Sequence, residues 1–429
     1  MWLLIFGGQR CWCPRLGGVI ITEQQVSQFV SHAREHARVV ALPLRTRFRG
    51  IDVREAMLIP TPGGWVEFAP FVEYGPAEAS RWLRSAIVHS LLSDANPSTP
   101  ESSPERRRLQ VEEGVRVPVN ATMPAVDAVT NPELVGELMG RYPGCTTVKV
   151  KVAEPSLEQD VARVRAVRRW FEEVGVESGL GAAPKIRVDA NAGWTVPEAF
   201  DAIARLAEDD VAGEWLDYVE QPCATVEELA ELRERLASAG IAPGGRPVRI
   251  AADELIRKVS DPLRVVEAGA CDVAVVKVAP LGGIDQVVRV AEQVAEHGVS
   301  LTVSSALDTA VGIGAGLQAA ALVAGIAGAA PNAEGDSNAV GDAGAAPNAA
   351  DSSVGGAAES RPTMGVPNAA GLATGSLFAA DAGKRQIVDG ALTTGDVAID
   401  EATLERYAVP AERRQWWVER MEAAARELV

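Results

Sequence analysis

Positive charge is in short supply in this chain. Lys and Arg number 41 against 58 Asp and Glu, a formal net charge of −17. A surface of that sign repels phosphate backbones, which argues against a nucleic-acid partner and for a self-repelling, soluble protein. Long hydrophobic runs are also missing: no stretch reaches the roughly 18 uninterrupted apolar residues that a spanning helix needs. Trp2-Leu-Leu-Ile-Phe6 is apolar but short, and it has neither the basic lead nor the small-residue cleavage site of a secretory signal. No membrane partner and a cytoplasmic location are the expectation. The five cysteines, Cys11, Cys13, Cys145, Cys223 and Cys271, are odd in number and irregular in spacing, so they imply no disulfide framework and fit a reducing compartment. Cys11-Trp-Cys13 lacks the second pair that would make it a metal site. Of the four histidines, His32 and His36 lie one helical turn apart, but no third ligand stands near them in sequence, so a solvated helix face is expected.

Lysine is scarcest where it is most informative. The chain prefers arginine, and its only lysines are Lys149, Lys151, Lys185, Lys258, Lys277 and Lys384. Lys149 and Lys151 share one face of Val148-Lys-Val-Lys-Val152, and Lys277 interrupts Val273-Ala-Val-Val-Lys-Val278. Both runs read as core strands, where a cation needs a reason. Arginine does not release its proton; lysine does so when desolvated or placed beside other cations, so lysine at these positions points to proton transfer. The plainer reading is a structural ion pair with nearby acids.

What is present supports a large fold. With 429 residues, 47% of them hydrophobic, and a mean hydropathy of +0.04, the chain suffices for one or two globular domains. Residues 1–37 read as an extension, in part without fixed structure, although Glu23 to Arg38 has a helical pattern. Residues 38–116 read as a small α+β unit: strands at Val39–Leu44, Ala56–Ile59 and Trp65–Phe68, a basic turn at Arg45–Gly50, a helix over Ser80–Leu92, and a Ser/Pro-rich insert near 93–108. Over 117–379 short Val/Ile-rich runs alternate with helical stretches, the signature of a parallel sheet built from βα units. Eight strands are expected, at Val117–Met123, Thr146–Val152, Ile186–Asn191, Tyr218–Pro222, Arg249–Glu254, Val273–Val278, Ser300–Leu307 and Gly371–Leu377, enough to close a barrel. A low-complexity insert near 326–367, in which Pro-Asn-Ala recurs at Pro331, Pro347 and Pro367, falls before the last strand. Residues 380–429 end in a helix over Ala411–Leu428, expected to pack back on the α+β unit.

Three acids stand at successive strand ends: Asp189 in Lys185-Ile-Arg-Val-Asp189, Glu220 in Tyr218-Val-Glu220, and Asp253 in Arg249-Ile-Ala-Ala-Asp253. An inward carboxylate on a buried strand is costly unless a cation compensates it. Three hard oxygen donors suit Mg²⁺, with Mn²⁺ as a substitute. The bland alternative is three unrelated caps or salt bridges. Acids holding a divalent ion, with a lysine able to take a proton beside a substrate carboxylate, define a reaction class: proton abstraction at the adjacent carbon, with the negative charge spread onto the carboxylate.

Lys149-Val-Lys151, Asp189-Ala-Asn191, Glu220-Gln-Pro222, Asp253-Glu254 and Lys277 resemble the muconate-lactonizing subgroup of the enolase superfamily, over most of the chain from Val39. Within it, Phe48-Arg-Gly50, Gly64-Trp-Val-Glu-Phe68, Trp82-Leu83, Ser304-Ser-Ala-Leu-Asp308 and Gly371-Leu-Ala-Thr-Gly375 resemble the o-succinylbenzoate synthase family. That resemblance implies an α/β fold, a (β/α) barrel of the enolase type with an N-terminal α+β capping domain completed by the C-terminal tail. It implies a Mg²⁺-dependent lyase that dehydrates 2-succinyl-6-hydroxy-2,4-cyclohexadiene-1-carboxylate to o-succinylbenzoate in menaquinone synthesis. By the same resemblance Lys151 is the base, Lys277 stabilises the enediolate from the opposite face, Lys149 and Asn191 support the site, and Ser304, Ser305 and Gly371 lie near the succinyl group. The chain departs from the pattern in its extension, its two inserts, and Ala373, where relatives often carry glycine. The partner implied is a small-molecule carboxylate; the oligomeric state is left open. N-succinylamino acid racemisation or dipeptide epimerisation would use the same two lysines. A Schiff-base aldolase built on Lys277 and a catalytically silent metal-binding protein are more distant alternatives.

Overall fold

The computed structural model describes residues 18–48, 50–93, 104–178, 183–257, 262–329 and 368–429. Cys11-Trp-Cys13, Lys258, the Pro-Asn-Ala repeats at Pro331 and Pro347, and Pro367 of the third lie outside them.

The chain opens with helix α1 (Glu23–His36), started by a capping box in which the Thr22 side chain accepts from the Gln25 backbone while the Gln25 side chain accepts from that of Thr22. Val26 and Ala33 are buried on one face. The helical pattern read over Glu23 to Arg38 is thus a helix, and the extension is ordered from residue 18: Val19 N–H donates to Asp285 at 2.9 Å, tying this segment to the barrel. His32 Nε2 donates to the Pro60 carbonyl at 2.7 Å, and its ring centroid lies 4.6 Å from that of His36, the rings tilted by 47°.

Strands β1 (Arg38–Phe48), β2 (Ile51–Thr61) and β3 (Gly64–Phe68) form an antiparallel sheet covered by helix α2 (Pro76–Ser93). The basic segment Arg45 to Phe48, read from sequence as a turn, instead continues β1 to Phe48, and β2 begins at Ile51. The far edge of β1 explains this. It is held by the C-terminal region, through Ala379 N–H to Pro43 O at 2.8 Å and bridges from Leu44 to Phe378 and Val40 to Ala408. Gly64 needs its positive φ of 114° at the hairpin, and a Cβ there would strike Asp396.

The barrel strands are β5 (Ala121–Met123), β6 (Thr147–Lys151), β7 (Lys185–Asp189), β8 (Leu216–Glu220), β9 (Ile250–Ala252), β10 (Val273–Lys277) and β11 (Ser300–Ser304), parallel and in sequential order. A separate short strand, β4 (Arg116–Pro118), pairs with β12 (Ala391–Thr393). The eighth barrel position is not the strand expected over Gly371–Leu377. Only Ala370 and Gly371 bridge, to Val119 and Ser304, and Ala373–Leu377 coils into a 3₁₀ helix. Those two residues close the ring, with Ala370 N–H on Pro118 O at 2.8 Å and Gly371 N–H on Val303 O at 2.8 Å.

Alternation in each strand sorts its residues. Val148, Val150, Ile186, Val188, Val219, Ala274 and Val276 face outward into the main core beneath helices such as α3 (Leu157–Ser178), α4 (Val196–Leu206), α5 (Val226–Ser238), α6 (Ile284–Glu296) and α7 (Ile313–Ala329). Inside, Tyr218, Ala251, Val273 and Val275 form a small apolar plug. Arg187 seals the end away from the strand C-termini: fully buried, it pairs with Asp217 at 2.8 Å, donates to Asn120 and Ala369, and lies over the Tyr218 ring. Helix α7 runs to Ala329, into the alanine-rich stretch read as the insert, because alanine is also the strongest helix former. A helical turn at Pro104–Arg108 ends the Ser/Pro-rich segment.

The last helix, α8 (Ala411–Arg426), lies on the capping unit. Trp417 is fully buried, edge-on to Phe68, and its indole N–H donates to Glu55 at 2.7 Å. Arg84 on α2 is a second tie between cap and barrel, forking onto Asp285 of α6 at 2.9 and 2.7 Å and reaching the carbonyls of Gly282 and Val19. Among the described residues no helix is long and apolar enough to cross a membrane.

Candidate active site

Strands β6 to β11 all deliver polar side chains to the same mouth. Passing round the ring, β6 brings Lys151, β7 Asp189, β8 Glu220, the turn after β9 Asp253, β10 Lys277, β11 Ser304, and the bridge Gly371. β6 and β10 are four positions apart in a ring of eight, so Lys151 and Lys277 stand on opposite sides with the three acids along the arc between them. A cavity of about 620 Å³ opens here, lined by Lys149, Lys151, Asp189, Asn191, Asp253, Lys277, Ser304, Ser305 and Gly371, and roofed from the cap by Thr46, Arg47 and Phe48 at the end of β1. Glu220 lies just beneath, fully buried.

The register sets this layout. Lys151 is paired with Asp189, and Asp189 with Glu220, as direct neighbours on parallel strands. Lys149 Nζ bridges the two acids, 2.9 Å from Asp189 Oδ2 and 2.9 Å from Glu220 Oε1. Lys277 Nζ makes a short contact with Asp253 Oδ2. Lys151 is the more open of the two opposed lysines, 3.9 Å from Glu154. Asn191 is not on β7 as expected but just past it at φ 45°, where its backbone N–H donates to Asp189 at 3.1 Å and its side chain to Glu254 at 3.3 Å. Ser305 Oγ lies 2.7 Å from Thr374 Oγ1. Gly371 is required: a Cβ there would sit 2.6 Å from Ser304 Oγ.

The electrostatics are those of buried opposite charges. Burial raises the Glu220 carboxyl to about 7, with Lys149 opposing and Asp189 and Asp253 adding to the rise. Burial pushes Asp189 the same way, but Lys149 and Lys151 outweigh it and hold that carboxyl below its ordinary value. Burial works against the Lys149 ammonium, yet Asp189 and Glu220 carry its pKa well above normal.

Among the described residues no three His, Cys, Asp or Glu side chains form a closed ligand cluster. The reason is visible: ammonium groups of Lys149 and Lys277 take up the faces of the acids. The donor set nevertheless fits a hard divalent cation. All three donors are carboxylates, and Glu220 Oε2 is buried with no hydrogen-bond partner, an oxygen that needs a positive ligand.

Sequence reasoning overlooked several residues of this mouth. Gln221, buried between the strand ends, stood inside Glu220-Gln-Pro222 without a role. Glu254 and Thr374 likewise sat within quoted motifs. Leu307 sat within Ser304-Ser-Ala-Leu-Asp308 without a role, and Arg47 within the segment read as a basic turn. Backbone strain would have been a guide had it been readable: Ala153, Asn191, Ala192, Gln221 and Leu307 all have positive φ without being glycine, and all follow barrel strands at this end.

A small α+β cap over a parallel barrel whose strand ends carry paired lysines and three carboxylates defines a barrel lyase or isomerase of the enolase type. Two family models match accordingly, "Enolase N-terminal domain-like" over residues 39–89 and "Enolase C-terminal domain-like" over 135–371. Solved structures share the fold: a muconate lactonizing enzyme from Pseudomonas fluorescens (TM-score 0.56, 15% identity, covering 87% of this chain and 98% of that one) and an N-succinyl Arg/Lys racemase from Bacillus cereus (TM-score 0.56, 17% identity, 87% and 97%). At the level of sequence the chain is similar to o-succinylbenzoate synthase of Mycolicibacterium smegmatis, 44% identical over 390 residues, 90% of this chain and 94% of that protein. The same-named protein of Mycobacterium tuberculosis is 44% identical over 394 residues, 91% and 94%. The chain belongs to the o-succinylbenzoate synthase family of the enolase superfamily, whose enzymes generally use a divalent metal.

Proposed function

We propose that this mouth dehydrates 2-succinyl-6-hydroxy-2,4-cyclohexadiene-1-carboxylate to o-succinylbenzoate, the reaction for which its relatives are named, as a step in menaquinone synthesis. The observation that carries the residue assignment is the ring order, with two lysines opposed across the mouth and the acids between them. Asp189, Glu220 and Asp253 would hold Mg²⁺, or Mn²⁺ in its place, and when bound the ion supplies positive charge for the substrate carboxylate.

Lys151, in its neutral form, takes the proton from the carbon bearing that carboxylate. The electron pair left behind spreads onto the carboxylate oxygens, and the Lys277 ammonium faces this charge from the opposite side. As the ring double bond forms, the C–O bond to the hydroxyl breaks. The Lys151 ammonium returns its proton to the departing oxygen, so water leaves and the lysine is neutral again. Lys149 holds the Asp189 carboxylate and opposes the rise in the Glu220 carboxyl through its bridging contact, and Asn191 fixes Asp189 through its backbone N–H. Ser304, Ser305 and Gly371 line the wall where the succinyl arm would lie. The described cysteines, Cys145, Cys223 and Cys271, are buried free thiols, which fits a reducing, cytoplasmic setting.

The opposed lysines also suit racemisation of N-succinylamino acids, which needs a base on each face. Purified protein given the cyclohexadiene substrate should form o-succinylbenzoate, lose that activity to EDTA, and regain it with Mg²⁺. Lys151→Ala should slow turnover by at least about 10²–10⁴-fold; near-normal turnover would remove Lys151 from its role. Solvent deuterium in recovered N-succinylamino acids, without dehydration, would favour the racemase.

A further inference from the structure

Gln221 follows β8 directly, fully buried, at φ 40°. A non-glycine residue there is strained by about 1 kcal/mol or more and persists only where surrounding contacts impose it. Those contacts are complete. The backbone N–H donates to Ala251 O at 2.7 Å, and the carbonyl accepts from Ala192 N–H at 2.6 Å. Side-chain Oε1 accepts from Asp253 N–H at 3.1 Å and from Leu255 N–H at 3.3 Å, while Nε2 donates to Cys223 O at 2.8 Å.

The partners fall on three successive strand ends. Ala192 is three residues past Asp189; Gln221 adjoins Glu220; Asp253 is contacted itself. Asp253 most needs the help, because β9 stops at Ala252 and the β8–β9 register ends at Glu220 opposite Ala251. Beyond that point no ladder orients Asp253. The Gln221 side-chain oxygen takes the place of a strand carbonyl, accepting the two N–H groups that flank the turn.

We propose that Gln221 is a positioning residue that fixes the spacing of Asp189, Glu220 and Asp253, and so sets the affinity of this mouth for a divalent cation. The inference rests on the metal-binding reading of those acids. It assigns Gln221 no contact with substrate or ion; it acts through the backbone of its neighbours, as groups behind metal ligands commonly do.

Gln221→Asn separates positioning from bulk stability. Asparagine tolerates positive φ better than glutamine, so the fold is kept, but with one methylene less it does not span to Asp253 N–H and Leu255 N–H. Two readouts are needed: the dissociation constant for Mn²⁺, from the electron paramagnetic resonance of the free ion, and hydrogen exchange of the metal-free protein over residues 250–257. Gln221→Asn should weaken Mn²⁺ binding by about 10–100-fold and speed exchange at Asp253 and Leu255. Unchanged Mn²⁺ affinity in Gln221→Asn, with or without faster exchange, would overturn the proposal while leaving the metal site standing. Wild-type protein that binds no Mn²⁺ would overturn the metal-binding reading, and this inference with it.

Discussion

Neutralising Glu67 should change how this protein's stability depends on pH. Glu67 reaches from β3 of the cap into the loop after β11, where it accepts from Thr309 N–H at 3.0 Å and from the Thr309 hydroxyl. Burial raises its carboxyl from the ordinary 4.5 to about 8; the nearby Asp308 adds to the rise, while Arg54 and the Thr309 bonds oppose it. Between those two pH values the folded protein holds a proton that the unfolded chain has released. Folding stability must therefore fall as pH rises through this window, and level off above about 8. At about 1.4 kcal/mol per pH unit the whole shift is worth at most about 5 kcal/mol. Glu67 is only partly shielded from water, so screening brings the expected change to about 2–3 kcal/mol. Glu67→Gln keeps the shape and the oxygen that accepts from Thr309, but has no proton to lose. Buried groups that Glu67 does not act on, such as Asp381, raised to about 7 by burial, titrate in both proteins and cancel in the comparison. Urea midpoints at pH 5.5 and 8.5 give the test: wild type should lose about 2–3 kcal/mol more than the variant across that interval. Equal losses would refute the claim that Glu67 carries its proton into the folded state.

Removing Arg84 should be costly at a place far from the mouth. Arg84→Ala leaves Asp285 buried without its forked partner, and about 3–5 kcal/mol of stability should go with it, read as a lowered urea midpoint; a loss below about 1 kcal/mol would show the pair to be nearly neutral. Deleting residues 333–366 should leave turnover within a few-fold, as measured by o-succinylbenzoate formation. The deletion joins residue 332 to residue 367, between the end of α7 at Ala329 and the Ala369 carbonyl, which sits on Arg187 below the residues that line the cavity. A folded but inactive product would show that the insert takes part in function.

The parts of the site that sequence exposed share one property: a charge breaking a period of two in a valine-rich strand. Lys149, Lys151 and Lys277 stand among valines, and Asp189 and Glu220 end runs whose other members alternate cleanly. Such residues declare both their strand and their face. Features that depend on distant partners gave no comparable sign. Arg45 to Phe48 read as a turn, yet they continue a strand whose preceding residues Val40, Pro43 and Leu44 are held by residues 408, 379 and 378 on the neighbouring edge. Ala370 and Gly371 close the barrel with two residues, too few and too small to show any periodicity. Lys149 was placed as a supporting group, but its bridging of Asp189 and Glu220 follows only from the register of three strands. Gln221 was invisible as a linker since its bonds reach Asp253 and Leu255, more than thirty positions away.

The first module of the chain is finished by its last helix. Val39, Leu58, Phe68 and Leu83 share one core with Leu404, Trp417, Met421 and Ala424, and the whole barrel is encoded between the two groups. During synthesis on the ribosome the cap sheet is therefore made early but stays without its indole keystone while about 330 further residues are added, roughly 20–70 s at about 5–20 residues per second. Through that interval the apolar face awaiting Trp417 is open to chaperones and proteases. A nascent chain stalled before α8 should be captured by them even when its barrel has already formed.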